Sequence, residues 1–117
     1  RGSQIRDILY VDDFSSLIKK QILNFSKINN QLFCIGGGKK NSLSLKQLTK
    51  KCQKITNNYP YIGSVTKTSK YDIPFFISSN KKIKKFYDWS PKTNINDILK
   101  KNLMWLKKDY KKIKKFF

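Results

Sequence analysis

The 117-residue chain has no histidine, no alanine and no glutamate. Without histidine it lacks the side chain most often used as a base near neutral pH, and the commonest metal ligand. Its seven acidic residues are all aspartates, and no two are arranged for obvious acid–base work. No serine or cysteine has a candidate base in the sequence. Cysteine occurs only as Cys34 and Cys52, too few for a disulfide framework and without metal-ligand spacing. Both fall in apolar phase with their neighbours, so buried thiols in a reducing compartment are expected. No stretch approaches the ~20 apolar residues of a membrane span, and no signal peptide is visible. The residues alone therefore carry no self-contained catalytic apparatus and no metal site.

Lysine is what the chain has in excess. The formal net charge is +19, yet only Arg1 and Arg6 are arginines among 26 basic residues. Such a charge suggests a nucleic-acid or anionic-membrane binder. Three features oppose that reading. Recognition of phosphate and bases favours the arginine fork over lysine. The lysines are spread along the chain and not gathered in one arm. The excess of lysine, asparagine and isoleucine also matches a coding bias toward A- and T-rich codons, which fills solvent-facing sites with lysine whatever the function. No specific nucleic acid and no membrane are expected as partners, with a functional basic surface as the alternative.

The pattern of elements is α/β. Ile5 to Val11 reads as a short strand, and Asp12 or Asp13 as the cap of a helix whose apolar face is Phe14, Leu17, Ile18, Ile22 and Phe25. Gln31–Ile35 ("QLFCI") reads as a buried strand. Ser44 and Gln47 have capping-box spacing, with Leu43 and Leu48 placed as a hydrophobic staple. The helix that follows presents Leu45, Leu48, Cys52 and Ile55, and ends at Asn57-Asn58. Tyr61 to Val65 reads as a strand. Asp72 to Ser78 is extended, and Pro74 restricts it to an edge or a loop. Asn80 to Phe86 suits a short helix and Asp88 to Pro91 a turn. Asn94 with Asp97 opens a long last helix, whose apolar face is Ile95, Ile98, Leu99, Leu103, Leu106, Tyr110 and Ile113.

Three motifs invite chemistry. Gly36-Gly37-Gly38 lies between a strand and a helix, but Phe33 and Lys40 break the Walker pattern and Asn41 breaks G-x-G-x-x-G. No acidic residue follows at the distance of a ribose contact. A plain turn, or close backbone approach to some other ligand, is the better reading. Tyr110 and Lys114 match Y-x-x-x-K, a match expected by chance in a tail so rich in lysine. Aromatics interleave with lysines from Lys81 to Trp89, as a single-strand binder would use. At helical spacing Ile83, Phe86 and Trp89 read more simply as core.

The order "QIRDILYVDD", "NNQLFCIGGGKKNSLSLKQLTKKCQKIT", "DIPFFISSNKKIKKFYDWSP" and a terminal amphipathic helix resembles the C-terminal portion of extended short-chain dehydrogenases/reductases. These are the NAD-dependent nucleotide-sugar epimerases and dehydratases. The "GGGKKNSLSLKQL" segment and the "YIGSV…DI..FIS.NKK" spacing are most similar to members acting on CDP-linked deoxysugars. The resemblance spans nearly the whole chain. It implies that residues 1–117, which begin without methionine, are the substrate-binding last third of a larger cytoplasmic isomerase, a homo-oligomer when complete. An N-terminal Rossmann half would bind NAD and supply the catalytic tyrosine and lysine, so this chain alone is expected to be inactive. The chemistry implied is transient oxidation of a sugar carbon, with return of the hydride to the opposite face.

The same resemblance implies substrate-binding residues. Arg6 would reach the substrate diphosphate, which suits a fork that holds two oxygens. Asp7 would fix the local turn. Leu43 would lie near the nucleotide and Asp72 near the ribose. Relatives commonly carry R-x-x-D; here Ser69 stands at the arginine position, and Lys70 beside it has charge without the fork. Rival readings within the class are UDP- or GDP-sugar epimerases and dehydratases; outside it, a basic nucleic-acid module or a non-catalytic remnant.

Overall fold

The computed structural model describes residues 2–26, 30–63, 69 and 71–116. The element order is β1 (Ile5–Asp7), α1 (Val11–Leu23), a 3-10 turn (Lys39–Asn41), β2 (Ser42–Ser44), α2 (Leu45–Thr56), β3 (Phe75–Phe76), α3 (Lys81–Tyr87), α4 (Ile95–Ile113) and a closing 3-10 turn (Lys114–Phe116). This is the small α/β unit expected.

β1 is the central strand of a three-stranded mixed sheet ordered β2-β1-β3. It pairs antiparallel with β2, Arg6 opposite Leu43, and parallel with β3, Arg6 opposite Phe76. Both β2 and β3 are edges, which is where Pro74 is tolerated: it contributes only its carbonyl, accepting from the Ile5 amide at 2.9 Å.

Helix starts follow local chemistry. The Ser44 hydroxyl accepts from the Gln47 amide at 3.2 Å and the Gln47 side chain accepts from the Ser44 amide at 2.8 Å, completing the capping box. Asn57, left-handed at φ 51°, ends α2. Asn94 Oδ1 accepts from the Asp97 amide at 3.1 Å and opens α4. Asn94→Ala should lower stability by about 1 kcal/mol, measured as a shift of the denaturation midpoint. An unchanged midpoint would show that this cap is redundant.

The main core is Leu17, Ile83, Tyr87 and Trp89, with Leu9, Phe33 and Ile35 packed against it. Leu17 and Ile83 are almost fully buried. The Trp89 indole donates to Ser16 Oγ at 3.0 Å and to the Asp13 carbonyl at 3.2 Å. Leu43, Ile95 and Ile98 are also buried, and α2 is in contact with α4. Of the interleaved segment, Ile83, Tyr87 and Trp89 are core, while Phe86 is exposed and stands edge-on to Phe33 at 5.5 Å.

Several expectations need correction. The first strand stops at Asp7, not Val11, because the chain turns into α1 at Tyr10. Tyr10 occupies the N-cap and makes no side-chain cap. Asp12 and Asp13 sit inside the first turn, where their charge suits the helix dipole. Asp13 is buried, and its carboxylate accepts from the Thr93 amide at 2.9 Å, tying α1 to the approach of α4. Gln31–Ile35 forms no strand ladder, and Cys34 is exposed. β2 was not anticipated, since its three residues read as part of a helix start. Phe14, Ile18, Ile22 and Phe25 of the α1 face are exposed, and only Leu17 of that set is buried. Of Tyr61 to Val65, residues 61–63 have no regular structure and the rest lie outside the described residues.

Candidate functional site

Strand alternation sends Gln4, Arg6 and Ile8 to one side of β1. All three line a cleft of about 340 Å³, closed by Leu43 and Ser44 of β2, Leu45 and Leu48 of α2, and Asp72. The cleft is apolar along Ile8, Leu43, Leu45 and Leu48 and polar where Gln4, Arg6 and Asp72 meet. Such a combination suits a ligand with one flat apolar part and one charged part.

Arg6 is held but not used up. Nη1 donates to the Ile5 carbonyl at 2.8 Å, and Nη2 to Asp72 Oδ1 at 3.1 Å. Two of its five N–H donors are thereby engaged among the described residues. The Arg6 and Asp72 side chains are 43% and 32% exposed. An ion pair this wet contributes at most about 1 kcal/mol, so stability is a weak reason for an arginine here. The other Asp72 oxygen accepts from Gln4 Nε2 at 2.8 Å. Gln4 Oε1 is buried without a partner among the described residues.

Arg6, Leu43 and Asp72 are therefore brought together. Ser69 is not among the residues that line the cleft. It is exposed and heads the turn that presents Asp72, its carbonyl accepting from the Asp72 amide at 3.0 Å and its hydroxyl from the Tyr71 amide at 3.3 Å. Lys70 lies outside the described residues. Gln4 is the cleft residue that sequence reasoning missed. Its spacing of two from Arg6 in a strand was the available signal.

Asp7 faces away from this cleft and has a structural role. Its Oδ2 accepts from the Gly38 amide at 2.8 Å. Asn80 clasps Gly36 from both sides, accepting from its amide at 3.1 Å and donating to its carbonyl at 2.8 Å. A Cβ at Gly36 would collide with Asp7 and Ser78, and one at Gly37 with the Ile8 backbone. The glycine triplet is thus filled by the chain's own atoms and does not fit a dinucleotide. Of the two expectations for these glycines, the plain turn fits, and the atoms that approach Gly36 and Gly37 belong to the chain itself. Tyr110 is exposed on α4. Among the described residues no group of three potential metal ligands occurs, and no helix is long and apolar enough to cross a membrane.

No protein-family model matches the chain. It is 36% identical over 105 residues to the CDP-paratose 2-epimerase of Salmonella typhi, covering 89% of this chain and 30% of that protein. An epimerase structure from Methanothermobacter thermautotrophicus superposes with TM-score 0.87 at 17% identity, covering 98% of this chain and 33% of the other. The UDP-glucose 4-epimerase of Thermotoga maritima, solved with UDP-glucose, gives TM-score 0.75 at 28% identity over 93% of this chain and 33% of its own. The chain spans about a third of the length of the proteins it matches. In sequence and in fold it is similar to about one third of these epimerases.

Proposed function

We propose that residues 1–117 are the substrate-binding part of an NAD-dependent nucleotide-sugar epimerase, acting on a CDP-linked deoxysugar in the cytoplasm. The observation that carries this reading is the convergence of Arg6, Leu43 and Asp72 on one cleft, although Leu43 and Asp72 lie 37 and 66 positions after Arg6 in the chain. The resemblance implies these three residues and Ser69, which does not line the cleft.

In this reading the free N–H groups of Arg6 hold the substrate diphosphate, where a charge-assisted, two-point contact fixes its orientation. Leu43, with Leu45 and Leu48, lies against the nucleoside. Asp72 accepts from ribose hydroxyls, and Gln4 and Arg6 position its carboxylate for that contact. NAD, bound by protein outside this chain, supplies the hydride acceptor and donor. This chain supplies binding and orientation, so the whole enzyme's activity depends on it while the isolated piece has none. CDP rather than UDP or GDP is favoured by the relative of 36% identity, and homo-oligomerisation by the resemblance.

The test is a titration of the chain with CDP, UDP and GDP followed by chemical shifts. Shifts centred on Arg6, Leu43 and Asp72, strongest with CDP, are expected. Shifts confined to surface lysines would sink the reading. Ser69→Arg would add a second guanidinium at the head of the Asp72 turn. It should tighten nucleotide-sugar binding by about 1 kcal/mol, the scale of a partly solvated charge pair. Unchanged affinity would show that this position does not reach the ligand.

A further inference from the structure

We infer that the exposed second half of α4 is a docking surface for an anionic lipid bilayer. The helix would lie flat, with its apolar side in the headgroup layer and its lysines against lipid phosphates. The inference goes beyond the epimerase reading and does not depend on it, since no residue of α4 lines the cleft.

α4 is held through its first two turns. Asn94 caps it, Ile95 and Ile98 are buried, and Lys51 Nζ on α2 donates to Asn96 Oδ1 at 2.8 Å. Further along, the apolar face expected from the sequence runs out into solvent. Trp105, Leu106 and Tyr110 are 56, 43 and 59% exposed, and Phe116, just past the helix, is 78% exposed.

At about 100° per residue, Leu99, Leu103, Leu106, Tyr110 and Ile113 share one side of α4. Lys100, Lys107, Lys108 and Lys111 take the other, and Lys114 and Lys115 follow. From Lys100 to Phe116 there are eight lysines and a single acidic residue, Asp109. Trp105 stands at the border between the two sides, and a bilayer interface favours tryptophan at such a level. A lysine face with Trp and Leu opposite it is the pattern of a helix that lies in the interface. Among the described residues no helix is apolar enough to cross a membrane, so α4 would lie on the bilayer and not span it. The expectation of no membrane partner rested on lysines spread along the chain. On α4 they are gathered on one side, and a drift toward lysine does not explain Trp, Leu and Tyr at solvent-facing sites opposite them. Charge complementarity selects the occupant. A second copy would bring another lysine-rich helix against the first. A nucleic acid would take the lysines but leave the apolar side in water.

The test mixes the 117-residue chain with vesicles of phosphatidylglycerol and phosphatidylcholine, and with vesicles of phosphatidylcholine alone. Cosedimentation should show binding at least about tenfold tighter on the anionic vesicles. The chain has two tryptophans. Trp89 is buried and Trp105 exposed, so a shift of emission to shorter wavelength on binding reports Trp105. Leu106→Lys adds a positive charge while removing apolar contact, and should weaken binding about tenfold. Lys111→Gln with Lys114→Gln, both at exposed sites, should weaken it roughly twentyfold. Ile18→Lys, on the exposed side of α1, should not weaken it. Unchanged or tighter binding by Leu106→Lys, or a Trp105 emission that does not move, overturns the proposal. The emission readout needs no substitution and decides even where Leu106→Lys folds poorly. Loss of binding with Ile18→Lys overturns the choice of helix. An emission shift that grows with protein concentration in the absence of vesicles assigns the stripe to a second copy. Tighter binding to duplex RNA than to anionic vesicles at the same salt assigns the lysines to nucleic acid. Either result overturns the choice of partner.

Discussion

Arg6→Ala in the complete enzyme is expected to weaken nucleotide-sugar binding by roughly 2–3 kcal/mol, the scale of a lost charge-assisted pair. The folded state should change far less. The pair with Asp72 is about two-fifths exposed on the arginine side, so its own contribution is at most about 1 kcal/mol. Asp72 also keeps its bond from Gln4. Arg6→Lys should recover only part of the affinity, because an ammonium retains the charge without the fork. NAD binding should be nearly unchanged. Melting temperature and substrate affinity measured on the same variants separate the two roles. A clear loss of stability with intact affinity would remove Arg6 from the binding site and leave it as a local tie between β1 and the Asp72 turn.

Gly37→Ala should be among the most damaging single-methyl additions in the chain. The added Cβ would meet the carbonyl of Ile8, a backbone group that cannot rotate away. Relief requires separating the glycine segment from the end of β1, which also breaks the bond from the Gly38 amide to Asp7. A loss on the order of 3 kcal/mol is expected, at the upper end of overpacking costs. Gly63→Ala is the matched control, since among the described residues no atom beyond its chain neighbours lies within 4 Å of its Cβ position; it should be neutral or slightly stabilising. Both are read from chemical denaturation. Equal midpoints for the two variants would mean that the glycine segment shifts freely and does not support the sheet.

Features decided within one helical turn were legible in the sequence. The Ser44–Gln47 box, the Asn57 stop and the Asn94 cap are set by side chains that reach only three or four residues. The start of α1 lies two or three residues before the expected cap, because the paired aspartates suit the first turn as well as the cap, and the later carboxylate accepts from Thr93. Strand pairing was less legible. β2 is three residues long and is defined only by β1 opposite it. Gln31–Ile35 has the composition of a strand but pairs with no strand among the described residues, and pairing is not a local property. For the cleft, Arg6, Leu43 and Asp72 came through resemblance, as no composition or period marks a diphosphate ligand. Gln4 could have been added from alternation along β1 alone.

The central position of β1 has a consequence for the order of folding events. The strand is near the start of the described chain, while both of its neighbours follow much later, and the Gln4–Asp72 bond spans 68 residues. Closing such a loop costs entropy before any contact repays it. The helices capped by Ser44 and Asn94 can form early, since their contacts are short-range. The β1–β3 ladder and the Arg6–Asp72 pair, which close a long loop, should form after the rate-limiting step. Substitutions at Arg6 or Asp72 should then accelerate unfolding and leave the refolding rate almost unchanged. A bound nucleotide sugar should act in the opposite sense on the same limb, slowing the opening of the cleft without hastening its assembly.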